Sequence, residues 1–252
     1  MTFEEEFERF RPVIKWLSDI CLMGKKIKVK GNENFIRKGC NIIVGNHIGS
    51  FKDVATLLKI VPRPVFFTAN REIFSREEFS HLISKHLRRH MKNIGLFMEV
   101  VLHPIKTTFV NYISTNIAKV GTIPVDLSQK TKLAVEKIQD YLKQGRAIIA
   151  LQGYGRVRTD LSHPYVPPFK RGTAFIAYNL YQEGISVPFT PLAFHGTHFP
   201  YIVPKEIQVN VGEPMYISDY IGGSLEEVVE AFRSALEMRV KELFSELIGS
   251  TR

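Results

Sequence analysis

Short apolar runs rich in β-branched and aromatic residues, separated by stretches of helical period, constrain this 252-residue chain more than any other feature. They fall at 41–45 (NIIVG), 64–70 (PVFFTAN), 121–127 (GTIPVDL), 147–151 (AIIAL), 187–194 (VPFTPLAF) and 207–212 (IQVNVG). Helical segments lie between them. One is expected over 54–60, and another where Leu133, Ile138 and Leu142 lead to a closing Gly145. A third is expected over 172–182, and a last one opens with the capping-box pair Ser224 and Glu227 and runs to about Leu247. Strands alternating with helices predict an α/β domain with a mixed, largely parallel sheet flanked by helices, with functional residues at strand ends.

The hydrophobic fraction of 44% suffices for a sizeable core, and no repeat, low-complexity tract or Pro/Ser-rich linker divides the chain. The expected organisation is an N-terminal amphipathic helix over 1–24, then one α/β domain over 25–252 with a helical insertion at about 75–118. Cys21 and Cys40 make neither a disulfide framework nor a zinc signature. The acidic opening MTFEEEFERF is unlike a secretory signal. A net charge of +9 points to anionic partners. No nucleic-acid module is recognisable, so the charge is read toward anionic lipid or phosphorylated substrates. The longest uncharged stretch, 184–204, holds four prolines and two histidines and is no membrane span.

Two amphipathic segments bear on location. Phe3, Phe7, Phe10, Ile14, Leu17 and Cys21 form one helical stripe, widened by Val13, Trp16 and Ile20. It suits packing on the protein's own core or seating at a bilayer interface. Phe79, Ile83, Leu87, Met91 and Ile94, widened by Leu82, form a second stripe. Lys85, Arg88, Arg89 and Lys92, with His81, His86 and His90, occupy much of the remaining surface. That composition fits an interfacial helix or a solvated face equally. The lysines of KKIKVKG protect an edge strand from unwanted pairing.

The run at 41–45 leads through Asn46 into His47, and Asp53 follows after five intervening residues. A His and an Asp leaving a buried strand form a catalytic pair, a metal fragment or ordinary loop chemistry. At about 100° per residue they do not share a face of a regular helix, so they can meet only through the turn. Gly49 is the residue expected to absorb unusual backbone angles there. His195 and His198 sit at an i, i+3 spacing, but Pro200 and the strand context argue against metal ligation.

NHIGSFKD, GTIPVD, LQGYGR, PFKRGTAFIAY, VPFTPLAFHGT and VNVGEPM occur in this order. The ordered set resembles the glycerolipid acyltransferases of the lysophosphatidic acid acyltransferase family over roughly Val29 to Met215. The resemblance implies transfer of a fatty acyl group from acyl-CoA or acyl-carrier protein to a hydroxyl of a lysophospholipid or glycerol phosphate. His47 is then the general base, oriented by Asp53, because an alcohol attacking a thioester needs a base poised near neutrality. Asn46, Gln152, Gly153, Tyr154, Gly155, Arg156, Lys170, Arg171 and Gly172 are implied in substrate binding. Backbone N–H groups near Gly153 or Gly155 would stabilise the oxyanion, and Arg156 with Lys170 or Arg171 the acceptor phosphate. No metal or organic cofactor is implied. The implied location is peripheral or monotopic on the cytoplasmic side of a membrane with an anionic surface.

Three departures mark a divergent member. The family places four residues between its His and Asp, and here there are five. Its Glu-Gly-Thr-Arg element reads Gln152-Gly153-Tyr154-Gly155-Arg156. Asp126 stands where a basic residue is usual. The expected reading is retained acyl transfer with altered acceptor choice; the alternative is a non-catalytic relative that binds lipid or acyl thioester.

Overall fold

A computed structural model of the chain describes residues 3–22, 24–90, 103–117, 122–125, 132–200, 203 and 206–249. The strands are β1 (Ile27–Lys30), β2 (Asn41–His47), β3 (Val65–Asn70), β4 (Ile123–Val125), β5 (Ala147–Gly153), β6 (Phe189–His195) and β7 (Ile207–Val211). The helices are α1 (Phe3–Cys21), α2 (Phe51–Ile60), α3 (Arg76–His90), α4 (His103–Asn116), α5 (Lys132–Lys143), α6 (Gly172–Gln182) and α7 (Leu225–Gly249). The chain divides into two compact units, Phe10–Val65 with Ile138–Arg252, and Met1–Arg9 with Phe66–Lys137.

In the first unit the strands run β1-β7-β6-β2-β5. β2 is parallel to both β5 and β6, and β1 is parallel to β7. The β6–β7 pair is antiparallel, so the sheet is mixed and largely parallel, as the alternation of elements predicts. β2 is central because it is apolar on both faces: Ile42, Ile43 and Val44 are all buried. β1 takes the edge, where its lysines stand exposed. α7 covers the sheet with Val229, Phe232, Leu236, Val240 and Leu243, buried at spacings of three and four. Its N-terminus closes as a capping box. The Ser224 N–H donates to Glu227 Oε2 at 2.8 Å, and the Glu227 N–H donates back to Ser224 Oγ at 3.4 Å.

The second unit holds the parallel pair β3–β4, registered Thr68 to Ile123. Phe79 of α3 and Val110 of α4 are buried, and Lys106 Nζ donates to Ser84 Oγ at 2.9 Å. Phe79 thus begins the predicted stripe on the inside, while His81 and Lys85 are exposed. The continuation through Met91, Lys92 and Ile94, and the acidic substitution Asp126, lie outside the described residues. In α1, Phe7 is buried whereas Trp16 and Ile20 are 62% and 46% exposed, so the flank that widens its stripe faces outward. Among the described residues no helix is long and apolar enough to cross a membrane.

Candidate active site

β2 ends at His47 and α2 begins at Phe51, so three residues carry the chain from strand to helix. The helix starts earlier than its apolar period indicates, which places Asp53 in its first turn, where the positive end of the helix dipole favours a carboxylate. Asp53 is fully buried. Its Oδ2 receives the Ile48 and Gly49 N–H groups at 2.9 and 2.7 Å and faces His47 Nδ1 at 2.9 Å. An ionised carboxylate only accepts, so the arrangement favours the tautomer whose proton is on Nδ1, and in that neutral imidazole the lone pair is on Nε2. His47 itself is 26% exposed, and the pair meets through the turn.

Gly49 was expected to absorb the extra residue of this turn, and the structure corrects that. Among the described residues Ser50 is the single non-glycine residue with positive φ, at φ 52° and ψ −124°. Such a conformation costs a non-glycine residue of order 1–3 kcal/mol. Gly49 serves a different need. A Cβ there would lie 2.3 Å from Thr197 Cβ and 2.8 Å from Asp53 Oδ1. Thr197 is buried, and neither its Oγ1 nor Asp53 Oδ1 makes a hydrogen bond among the described residues. Thr197 closes the VPFTPLAFHGT element, but its sequence position gave no sign that it packs against this turn, because only the fold brings the residues after β6 here.

β5 delivers the glycines. Gly153 is registered with His47, and the Gly155 N–H donates to the His47 carbonyl at 3.0 Å. That N–H is engaged in holding the backbone of the His47 residue. Gly155 has φ 67°, and a Cβ on it would stand 3.3 Å from His47 Nε2. Glycine at this position leaves open the space in front of the basic nitrogen.

Asn46 and Gln152 are buried and bonded to the protein's own backbone. Asn46 Nδ2 donates to the carbonyls of Tyr165 and Phe194 at 3.0 and 3.1 Å, and its Oδ1 accepts the Phe194 N–H at 2.7 Å. Gln152 Oε1 accepts the Lys170 N–H at 3.0 Å, while Nε2 donates to the Ala150 carbonyl at 3.4 Å. The second pairing requires an amide, since a glutamate has no hydrogen to donate when ionised.

Arg156 and Lys170 are exposed. Arg171 Nε lies 3.3 Å from Glu230 Oε2, and Gly172 opens α6. The loop carrying Lys170 and Arg171 is anchored to α7. The Phe169 N–H donates to Glu237 Oε2 at 2.9 Å, and Arg233 Nη1 reaches the same oxygen at 2.6 Å. Burial works against the Glu237 charge, but Lys241, the Phe169 N–H and Arg233 together hold its carboxyl below the usual glutamate range. Tyr154, 58% exposed, has the Arg158 guanidinium 4.6 Å from its ring centre. Arg158 is in turn fixed by Asp160, whose carboxyl that bond pulls down to about 2.

His195 and His198 pack at tilted and edge-on angles in an aromatic cluster with Tyr165, Phe199 and Phe244. Among the described residues no group of three metal-capable side chains forms.

A buried carboxylate thus holds the His47 ring on the turn that leaves the central strand of a mixed sheet. Residues 26–195 match the family described as Acyltransferase, so the chain belongs to that family. It is 25% identical over 224 residues to the 1-acyl-sn-glycerol-3-phosphate acyltransferase of Bacillus subtilis, covering 88% of this chain and 89% of that protein. Its fold is similar to the crystal structure of the 1-acyl-sn-glycerophosphate (LPA) acyltransferase PlsC from Thermotoga maritima. That match has a TM-score of 0.54 at 18% identity and covers 95% of this chain and 82% of the other. At 25% identity to that relative, the chain is a divergent member of the family.

Proposed function

We propose that this protein transfers a fatty acyl group from a thioester, acyl-CoA or acyl-carrier protein, to a hydroxyl of a lysophospholipid or glycerol phosphate. The observation that carries this reading is the His47 imidazole held by a buried carboxylate that two backbone N–H groups also pin. His47 Nε2 accepts the acceptor hydroxyl's proton as its oxygen attacks the thioester carbonyl. The thiolate leaves and is protonated by the imidazolium, which Asp53 stabilises throughout. Arg156 and Lys170 supply exposed positive charge for the acceptor phosphate, with Arg171 shared with Glu230. Gln152 and Asn46 position the strand ends and loops that carry these groups. Tyr154, clamped by Arg158, borders the acceptor side.

The test is thiol release from palmitoyl-CoA and from palmitoyl-acyl-carrier protein against a panel of lysophospholipids and glycerol 3-phosphate. Acceptor-dependent release from either donor is expected and would name the acceptor class. No release from either donor would instead favour a lipid-binding relative without activity.

Attachment to the cytoplasmic face of a membrane belongs to the same proposal. Its support is the outward-facing Trp16 and Ile20 of α1 together with the net charge of +9. Binding to anionic phosphatidylglycerol vesicles at low salt is expected to weaken when Trp16 and Ile20 are both changed to serine. Wild-type protein that stays in the supernatant under these conditions would refute attachment.

A further inference from the structure

We propose that Glu237 of α7 is a positioning residue that sets the 169–171 loop, and with it the Lys170 ammonium, for the acceptor phosphate; this rests on the acyl-transfer reading above. Three consecutive residues of that loop are tied down from two sides. The Phe169 N–H donates to Glu237 Oε2 at 2.9 Å, and its carbonyl receives Arg233 Nη1 at 3.4 Å. The Lys170 N–H donates to Gln152 Oε1 at 3.0 Å. Arg171 reaches Glu230 Oε2 through Nε and the Glu226 carbonyl through Nη2, each at 3.3 Å. Phe169 is buried, so the backbone is fixed on the inner side while the Lys170 side chain stands exposed.

α7 gives one polar stripe to this task. Glu226, Glu230, Arg233, Glu237 and Lys241 recur at spacings of three and four, beside the apolar stripe that covers the sheet. A carboxylate next to a phosphate site repels the ligand unless its charge is balanced. Arg233 Nη1 and Lys241 Nζ, both at 2.6 Å, balance Glu237. Arg233 also grips Glu230 Oε1 with Nε and Nη2 at 2.9 and 2.6 Å. Glu237 therefore holds the loop through charge-assisted bonds without setting an unopposed negative charge beside the acceptor. A loop already held in its binding shape costs the acceptor no ordering. Releasing it weakens acceptor binding and leaves the step at His47 untouched.

The experiment measures steady-state kinetics with palmitoyl-CoA or palmitoyl-acyl-carrier protein and the best acceptor from the panel above. Glu237→Ala is expected to raise the acceptor KM at least about tenfold, while kcat and the donor KM stay within about threefold. Loss of folded protein alone would lower kcat and leave the acceptor KM unchanged. Reach rather than charge should decide the effect. Glu237→Gln keeps a carbonyl for the Phe169 N–H and should stay within about threefold of wild type. Glu237→Asp keeps the charge but draws back by one methylene. It should raise the acceptor KM more than threefold, and it serves where the alanine variant does not fold. Adding Glu237→Ala to Lys170→Met should raise the acceptor KM no more than about threefold beyond Lys170→Met alone, because the two act through one contact. Arg239→Gln breaks the 2.9 Å pair with Glu242 on the same helix and should leave all three constants unchanged.

An acceptor KM within threefold of wild type in both Glu237→Ala and Glu237→Asp would overturn the proposal and leave acyl transfer standing. So would a Glu237→Gln variant more impaired than Glu237→Asp, independent multiplying effects of Glu237→Ala and Lys170→Met, or an equal rise in Arg239→Gln. Absence of thiol release in wild type would overturn the acyl-transfer reading and this one with it.

Discussion

Replacing His47 by alanine is expected to reduce acyl transfer by about 10²–10⁴-fold, the range that a positioned general base contributes. The fold should survive, because His47 sits at the exposed end of β2 with its side chain 26% accessible, and its backbone carbonyl still receives the Gly155 N–H. Asp53→Asn tests the other half of the pair and should behave differently. An asparagine carbonyl can occupy the Oδ2 position and keep the Ile48 and Gly49 N–H bonds. Its NH2 then falls where Oδ1 now makes no hydrogen bond with the described residues. Little stability should be lost, while the negative charge that stabilises the imidazolium is gone. The expected result is a near-native melting temperature with transfer reduced at least 100-fold. Thiol release by either variant within tenfold of wild type would remove His47 as the base, or Asp53 as its partner.

Legibility followed the range of the interactions involved. α6 occupies 172–182 as its period indicates, and the α7 cap is written in two residues three apart, because both features are local. The largely parallel sheet was readable from uniformly apolar runs such as NIIVG, which suit a strand buried on both faces. α2 was legible only from Val54, since the turn that begins it is held by Asp53 rather than by apolar spacing. The pairing of His47 with Asp53 came from resemblance. Its geometry did not, because the strained residue is Ser50 and not the permissive glycine beside it. Gln152 looked like a change in the acceptor site, whereas its amide ties β5 to the Lys170 backbone. The Arg233–Glu237 anchor and the packing of Thr197 against Gly49 were invisible, since each depends on contacts between segments far apart in sequence.

Gly49→Ala is the change in which that long-range packing should matter most. The added methyl would stand 2.3 Å from Thr197 Cβ, 2.5 Å from Thr197 Oγ1 and 2.8 Å from Asp53 Oδ1. Thr197 and Asp53 are both fully buried, so neither can swing into solvent to make room. Overpacking of this kind costs about 1–3 kcal/mol, which lowers the melting temperature by roughly 2–12 °C for a chain of this size. Activity should suffer more than stability. The Gly49 N–H is the shortest of the three contacts to Asp53 Oδ2, at 2.7 Å, and moving it turns the carboxylate away from His47 Nδ1. A fall in transfer of at least about tenfold is expected from such misplacement. Thr197→Gly removes the Cβ that makes the closest approach, so the double variant should recover part of both losses, with a coupling of about 0.5–3 kcal/mol in stability. Thr197→Ala keeps that Cβ and should rescue little. A Gly49→Ala protein with wild-type melting temperature and transfer would mean that the turn yields freely, and that Thr197 does not brace the Asp53 carboxylate.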